Sequence, residues 1–332
     1  CCKRSGLKFG LWFEPEMVSP DSDLYRAHPD WAIHKDGIKP IRGRRQLVLD
    51  FTRQEVVDYI FRAISDILRS NDISYVKWDM NRFITECYSA SLPATQQGEF
   101  MHRYILGVYT LAERLTSDFP NVFFEGCASG GGRFDAGMLY YFPQIWTSDD
   151  TDGYERAKIQ WGTSLCYPLS AMSCHVSACP NHQTGRMTPL STHGAIASLG
   201  GSGYELDISV LSEEEKNACK EQIAAYRKIS DLMLRGDLYR LSNPFSENYF
   251  CEMIVSKDKR CAYVVGEQLR AIPLPNTRFV KLVGLDEEKL YRIEELNLTA
   301  SGKTLTFVGV PLPNLQDYES FIWHIEEVKH DC

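Results

Sequence analysis

No apolar run in this 332-residue sequence approaches the roughly 20 residues that a membrane-spanning helix requires, so no membrane partner is expected. Positive charge is not in excess either: 36 Lys and Arg stand against 44 Asp and Glu, for a formal net charge of −8. Nucleic acids and anionic lipid surfaces call for a basic face, and a neutral ligand is the simpler expectation. The N-terminus, Cys1-Cys2-Lys3-Arg4-Ser5-Gly6, has neither an initiator Met nor a signal-peptide pattern. The 11 cysteines are odd in number and scattered along the chain, which reads as reduced, structural thiols of a cytoplasmic protein. Cys174, Cys179 and His182, with His175 beside them, have loosely zinc-like gaps. No second Cys/His pair follows at finger spacing, and no metal is expected. A nucleotide cofactor is not expected either: Gly130-Gly131-Gly132 lacks the Lys-Ser/Thr ending of a phosphate loop and the GxGxxG spacing.

What is present alternates. Strand-like runs at 8–13, 46–50, 75–79, 122–127 and 145–149, with weaker ones at 169–176 and 195–199, are interleaved with helical patterns. The clearest helix covers 53–70, where Val56, Val57, Ile60, Phe61, Ile64, Ile67 and Leu68 recur at three- and four-residue steps. Thr52 stands before it as the expected N-cap. A second helix is predicted over 98–117. A third, over 212–234, opens on Ser212-Glu213-Glu214-Glu215, a cap followed by acids in the first turn. Strands separated by helices imply parallel βα units. The polar and acidic residues Trp12-Phe13-Glu14, Asp50, Asp79, Cys127 and Asp149 all fall at the C-terminal ends of successive strand candidates. A site assembled from many strand ends is the habit of a (β/α)8 barrel rather than of a doubly wound sheet. After about residue 236 the runs 249–256, 260–265, 278–283, 289–293 and 304–307 are short, β-branched or aromatic, and separated by turn residues. They read as a small antiparallel β-sandwich. The predicted domains are a barrel over 1–235 and a sandwich over 236–332. About seven barrel strands are legible rather than eight, which leads to the expectation of a chain incomplete at its N-terminus.

Three segments carry candidate chemistry. In Lys77-Trp78-Asp79-Met80-Asn81-Arg82 an apolar strand runs into a carboxylate beside a cation and an amide, which favour its ionised form. That suits a nucleophile, but equally a salt bridge or a helix cap. In Trp146-Thr147-Ser148-Asp149-Asp150-Thr151-Asp152 crowded acids raise one another's pKa, so one can serve as a general acid; a capped turn is the plainer alternative, and a metal on the cluster a third. In Cys127-Ala128-Ser129-Gly130-Gly131-Gly132-Arg133-Phe134-Asp135 the glycines allow backbone to approach a ligand closely.

These segments occur in order with Gly10-Leu11-Trp12-Phe13-Glu14-Pro15-Glu16 and Gly43-Arg44-Arg45-Gln46-Leu47-Val48-Leu49-Asp50. The ordered set resembles the α-galactosidases (melibiases) of glycoside hydrolase family 36, in the large bacterial type. The resemblance implies a retaining hydrolase of terminal α-linked galactose in oligosaccharides such as melibiose and raffinose. It implies Asp79 as nucleophile and Asp149 as general acid/base, with Asp150 the lesser candidate. It further implies that Lys77 and Asn81 bond the galactose hydroxyls, that Trp12 walls the sugar, that Arg44 reaches a hydroxyl, and that Cys127 and Gly130 line the pocket. No cofactor follows from it, and dimers or tetramers of the full-length form are implied. Two departures stand out. Arg45 takes the place of an Asn, and the family's N-terminal β-sandwich and first barrel strand, with its pair of acids, are expected to be missing. An α-N-acetylgalactosaminidase, a galactosyl-transferring enzyme and an inactive sugar-binding fragment are the alternatives.

Overall fold

The computed structural model describes residues 2–273 and 277–328, in two compact units, Cys1–Asp149 and Asp150–Cys332. The first contains β1 (Gly10–Phe13), β2 (Met17–Val18), α1 (Asp23–Ala27), β3 (Leu47–Val48), α2 (Gln54–Ser70), β4 (Tyr75–Trp78), α3 (Phe100–Asp118), β5 (Phe123–Gly126), α4 (Ala136–Tyr141) and β6 (Gln144–Trp146). Strands β1, β4, β5 and β6 are successive parallel neighbours. On α2 the residues Val56, Val57, Ile60, Ile64 and Leu68 are buried, whereas Ile67 is partly exposed at the rim of the apolar stripe. Each such burial contributes roughly 1.5–3 kcal/mol before entropy is counted. On α3 the inward face is Phe100, Tyr104, Val108, Leu111 and Leu115, as the periodicity predicts.

Two local expectations fail in this unit. The N-cap of α2 is Arg53, not Thr52, and it makes no side-chain cap bond. The Thr52 hydroxyl is instead engaged by Asp50, to which it donates over 2.6 Å. The run 46–50 also does not join the parallel sheet. Its β3 pairs antiparallel with β2, through Met17↔Val48 and Val18↔Leu47. An apolar run is buried under loops as readily as inside a sheet, and periodicity cannot separate the two.

The second unit continues with α5 (Gly153–Ser164), β7 (Met172–Ser177), α6 (Leu190–Ala197), β8 (Gly201–Glu205) and α7 (Glu213–Arg235). Strands β7 and β8 pair in parallel. The described residues thus hold six parallel strands, four in one unit and two in the other, rather than seven. Residues 195–199 are not a strand but the end of α6 and the turn after it. Ala195, Ile196, Ala197 and Leu199 are buried all round, which removes the periodic signal. Helix α7 begins where predicted, with a complete capping box between Ser212 and Glu215.

The rest of the unit is β9 (Asp237–Arg240), β10 (Tyr249–Val255), β11 (Cys261–Gln268), β12 (Phe279–Val280), β13 (Leu290–Ile293), β14 (Leu298–Ser301), α8 (Gly302–Phe307), β15 (Val310–Pro311) and β16 (Ser320–Glu327). Six strands form an antiparallel sheet in the order β14-β13-β16-β11-β10-β9, and β12 pairs with β15. Cys251, Met253, Val255, Val264, Trp323 and Ile325 of the sheet pack with Val280, Leu282, Leu305 and Val310, so this is a small sandwich as expected. Residues 304–307, expected as a strand, lie in α8, because the Ser301 hydroxyl caps it by accepting from Thr304 N. Strand β16, which sits mid-sheet, was not foreseen. Among the described residues no helix is long and apolar enough to cross a membrane.

On the opposite face of β10 lies Glu252, fully buried. Burial pushes its carboxyl up to about 8, with the charge of Arg240 and the hydroxyl of Ser164 opposing only in part. An unfolded carboxyl titrates near 4.3, so between about pH 4.3 and 8 folding must take up a proton. The stability contribution is intact at acid pH and is lost as pH rises through this window. Glu252→Gln, which resembles the neutral acid, should therefore match wild type in thermal melts near pH 4.5. By pH 9 it should exceed wild type by about 3 °C or more. A difference that does not change with pH would refute the assignment.

Candidate functional site

In-register pairing sets the first layer of the site. Trp12 lies opposite Lys77, Lys77 opposite Glu125, and Glu125 opposite Gln144. Side chains two residues apart on a strand share a face, so Lys77 on β4 points the same way as Asp79 just beyond it. The Lys77 ammonium is 3.8 Å from Glu125 Oε1 and 4.8 Å from the centre of the Trp146 ring. The sequence placed the lysine beside Asp79; its contacts here are this acid and this indole.

Asp79 is buried and is the acceptor for a converging set of donors. Trp12 Nε1 donates to its Oδ2 over 3.1 Å, Asn81 Nδ2 to the same oxygen over 2.6 Å, and Met80 N to Oδ1 over 2.9 Å. The Cys127 thiol bonds it as well. Burial, and then the charge of Asp79, push this thiol well above its ordinary value, so it stays protonated and donates. The backbone is locked by the same neighbours: Asp79 N donates to Phe13 O over 2.8 Å, and Cys127 N to Trp78 O over 2.7 Å. Trp12, Asn81 and Cys127 are thereby gathered on one carboxylate from three different strand ends.

Asp149 follows β6 and is exposed. Trp146 Nε1 donates to its Oδ1 over 3.0 Å, and the same indole lies under the Lys77 ammonium. Because β4, β5 and β6 run parallel with Trp78 opposite Gly126 and Gly126 opposite Ile145, Asp79 and Asp149 both lie beyond the C-terminal edge of the sheet.

The triple glycine brings two loops into close contact. A Cβ on Gly130 would fall 2.6 Å from Asp149 N, and one on Gly131 would fall 2.4 Å from Thr147 O. The loop after β5 is packed backbone against backbone on the loop that carries Asp149, and Gly130 sits at φ +84. Gly130 therefore supports Asp149.

Arg44 is exposed, in a tight turn where it and Arg45 take φ 51 and 65. Its guanidinium is 4.0 Å from Glu14, which also accepts from Gln46. The buried Arg82 donates to the carbonyls of Ile41 and Gln46 and so pins this turn. Asp50 is occupied with Ser89 and Thr52. Sequence reasoning passed over Glu16, Glu125, Arg133 and Trp146, although all four lie in or beside the recognised motifs. A carboxylate or indole inside a strand-end motif was the available signal.

In the second unit, burial works to raise the Asp152 carboxyl, but bonds from Arg186 and Thr184, both at 2.5 Å, hold it below its ordinary value. Asp152 also caps α5. The mutual raising expected from crowded acids does not occur at this residue, because an arginine neutralises it. Among the described residues, no group of three or more His, Cys, Asp or Glu is placed to hold a metal ion. Cys174 is buried against the Met172 and Leu199 carbonyls, and His175 is engaged by Glu205.

Residues 2–236 match the Melibiase family model, and 249–325 match the glycosyl hydrolase family 36 C-terminal domain. The chain belongs to the melibiase family. It is 50% identical over 325 residues to α-galactosidase AgaA of Geobacillus stearothermophilus, covering 98% of this chain and 44% of that protein. It is 48% identical to the bifunctional α-galactosidase/sucrose kinase AgaSK of Mediterraneibacter gnavus, covering 98% of this chain and 34% of that protein. The crystal structure of the Lactobacillus brevis α-galactosidase superposes with a TM-score of 0.97 at 46% identity, over 99% of this chain and 46% of that one. That of AgaA gives 0.96 at 49% identity, over 98% and 45%, and a variant of AgaA has been solved in complex with raffinose. The chain thus spans less than half the length of these relatives. Its fold is that of the melibiases: (β/α)8-barrel strands and helices followed by the C-terminal sandwich.

The packing at Gly130 predicts that Gly130→Ala, which places a Cβ against Asp149 N at a left-handed φ, costs about 1–3 kcal/mol. Thermal denaturation should show a Tm several degrees lower, and an unchanged Tm would mean that the loop has room to shift.

Proposed function

We propose that the protein carrying this chain is a retaining α-galactosidase that releases terminal α-linked galactose from oligosaccharides. The observation that carries the reading is the carboxylate of Asp79, held by Trp12, Asn81, Met80 N and Cys127. It lies at the same sheet edge as Asp149, whose carboxylate is fixed by one indole. An ionised carboxylate only accepts hydrogen bonds, and Asp79 is given donors alone. It is thus oriented as a nucleophile, while the exposed Asp149 can exchange protons with water.

In the proposed double displacement, Asp149 protonates the glycosidic oxygen as Asp79 attacks the anomeric carbon. The bond to the leaving sugar breaks and a covalent β-galactosyl-enzyme forms. Asp149 then removes a proton from water, which attacks the same carbon from the opposite face of the Asp79 ester and frees α-galactose. Trp12 walls the sugar, Lys77 and Asn81 bond its hydroxyls, and Arg44 reaches a further hydroxyl from the turn pinned by Arg82. Cys127 and Gly130 line the pocket, and Gly130 also keeps the Asp149 loop close. Variants of one relative, AgaA, solved with raffinose and with stachyose, support oligosaccharide substrates. The same reading places the domain boundary at 235/236, the protein in the cytoplasm and its full-length form in a dimer or tetramer. Light scattering on the full-length protein tests the assembly.

In the full protein that carries this sequence, Asp79→Ala should reduce hydrolysis of p-nitrophenyl α-galactoside by about 10⁴-fold or more. Azide should restore turnover with a β-configured product. Near-native activity in the variant would end the assignment, and faster turnover of the N-acetylgalactosaminide would move the specificity. Asp149→Ala should spare activated aryl galactosides far more than raffinose, because a good leaving group needs little protonation. Equal losses on both substrates would remove Asp149 from the acid role.

A further inference from the structure

Behind the site lies a second carboxylate that the proposed reaction does not use. Glu16, in the turn between β1 and β2, is fully buried and accepts four hydrogen bonds. Arg133 grips it with both terminal nitrogens, Nη2 to Oε1 over 2.7 Å and Nη1 to Oε2 over 3.0 Å. Trp78 Nε1 donates to Oε1 over 2.9 Å, and the Tyr104 hydroxyl donates to Oε2 over 2.7 Å. The donors come from β4, from α3 and from the loop after β5, so Glu16 ties its own motif to two others and to α3. Charge complementarity is close: burial works against the Arg133 guanidinium, but Glu16 outweighs it and holds Arg133 above its ordinary value.

Stability alone does not require such a pair, because well-packed apolar residues replace buried ion pairs at little or no cost. What a bidentate Arg–carboxylate pair supplies is direction. Its two ends are attached where direction matters. Trp78 immediately precedes Asp79. Arg133 lies near the end of the loop that begins at Cys127, a donor to Asp79, and that holds Gly130 and Gly131 against residues 147–149. We infer that the Glu16–Arg133 pair is a positioning device that sets the Asp79-bearing strand end and the Cys127–Arg133 loop at a fixed separation. The inference rests on the proposed roles of Asp79 and Asp149. A displacement of about 1 Å at reacting atoms costs on the order of 10²-fold in rate, so the pair acts through Asp79 and not by touching substrate.

The test removes both charges together, so that neither is left buried alone. In the full protein, E16L/R133M should remain folded, with galactose binding by calorimetry within about threefold of wild type. Its kcat on p-nitrophenyl α-galactoside should fall about 10²-fold, with KM little changed. A folded double variant with wild-type kcat overturns the inference. So does a loss of galactose binding and melting temperature in step with kcat, which would mark a purely structural pair. If the double variant does not fold, R133K decides. It keeps the charge and loses the two-pronged grip, so kcat should fall about tenfold at near-native Tm, and a native kcat overturns the inference. A wild-type protein without α-galactosidase activity would instead refute the function on which the inference stands.

Discussion

Parallel strands held in register are the constraint on which the rest of the site depends. With β1, β4 and β5 paired residue for residue, Trp12, Lys77 and Glu125 necessarily form one row, and the next residues outward on that face include Asp79. The pleat then decides what faces where. Lys77 and Asp79 go to one side, and Trp78 between them goes to the other, where it is buried. A slip of one residue would exchange these faces, sending the lysine into the apolar layer and the indole out of it. The cost of that exchange is what keeps the chemistry in place.

The two sides of β4 perform different tasks with the same kind of group. On one side the Asp79 carboxylate meets Trp12, Asn81 and Cys127. On the other side the Glu16 carboxylate is sealed from water and has its acceptor capacity met by Arg133, Trp78 and Tyr104. A buried charge left unpaired is costly, so the second arrangement tolerates little movement.

Much of this was legible in the sequence. The 3.6-residue periodicity of α2 and α3 and the acid-rich start of α7 depend on local patterning, and the helices lie where that patterning places them. The strand-end position of Asp79 and Asp149 was readable for the same reason. The errors have separate causes. Within 46–50 and 195–199 the apolar residues Leu47, Val48, Leu49, Ala195, Ile196, Ala197 and Leu199 are all buried, and burial of that kind erases the alternation that distinguishes strand from helix or loop. Thr52 looked like a helix cap until the structure supplied a stronger competitor, the Asp50 carboxylate. Asp152 looked like a member of an acidic cluster, but Arg186, 34 residues further along, had no local signature as its partner.

The sequence by itself determined the alternation of strands and helices, the change to antiparallel β-structure after the barrel segment, and the identity of the strand-end acids, because each is written in the spacing of neighbouring residues. Tertiary structure decided which partners those acids have. Trp12 reaches Asp79 across 67 positions, the Trp146 that holds Asp149 lies under Lys77, and Glu16, an acid the sequence did not single out, is met by Arg133 across 117 positions. Hydrogen bonds of this kind act over about 3 Å, and only the folded chain sets which distant residues come that close.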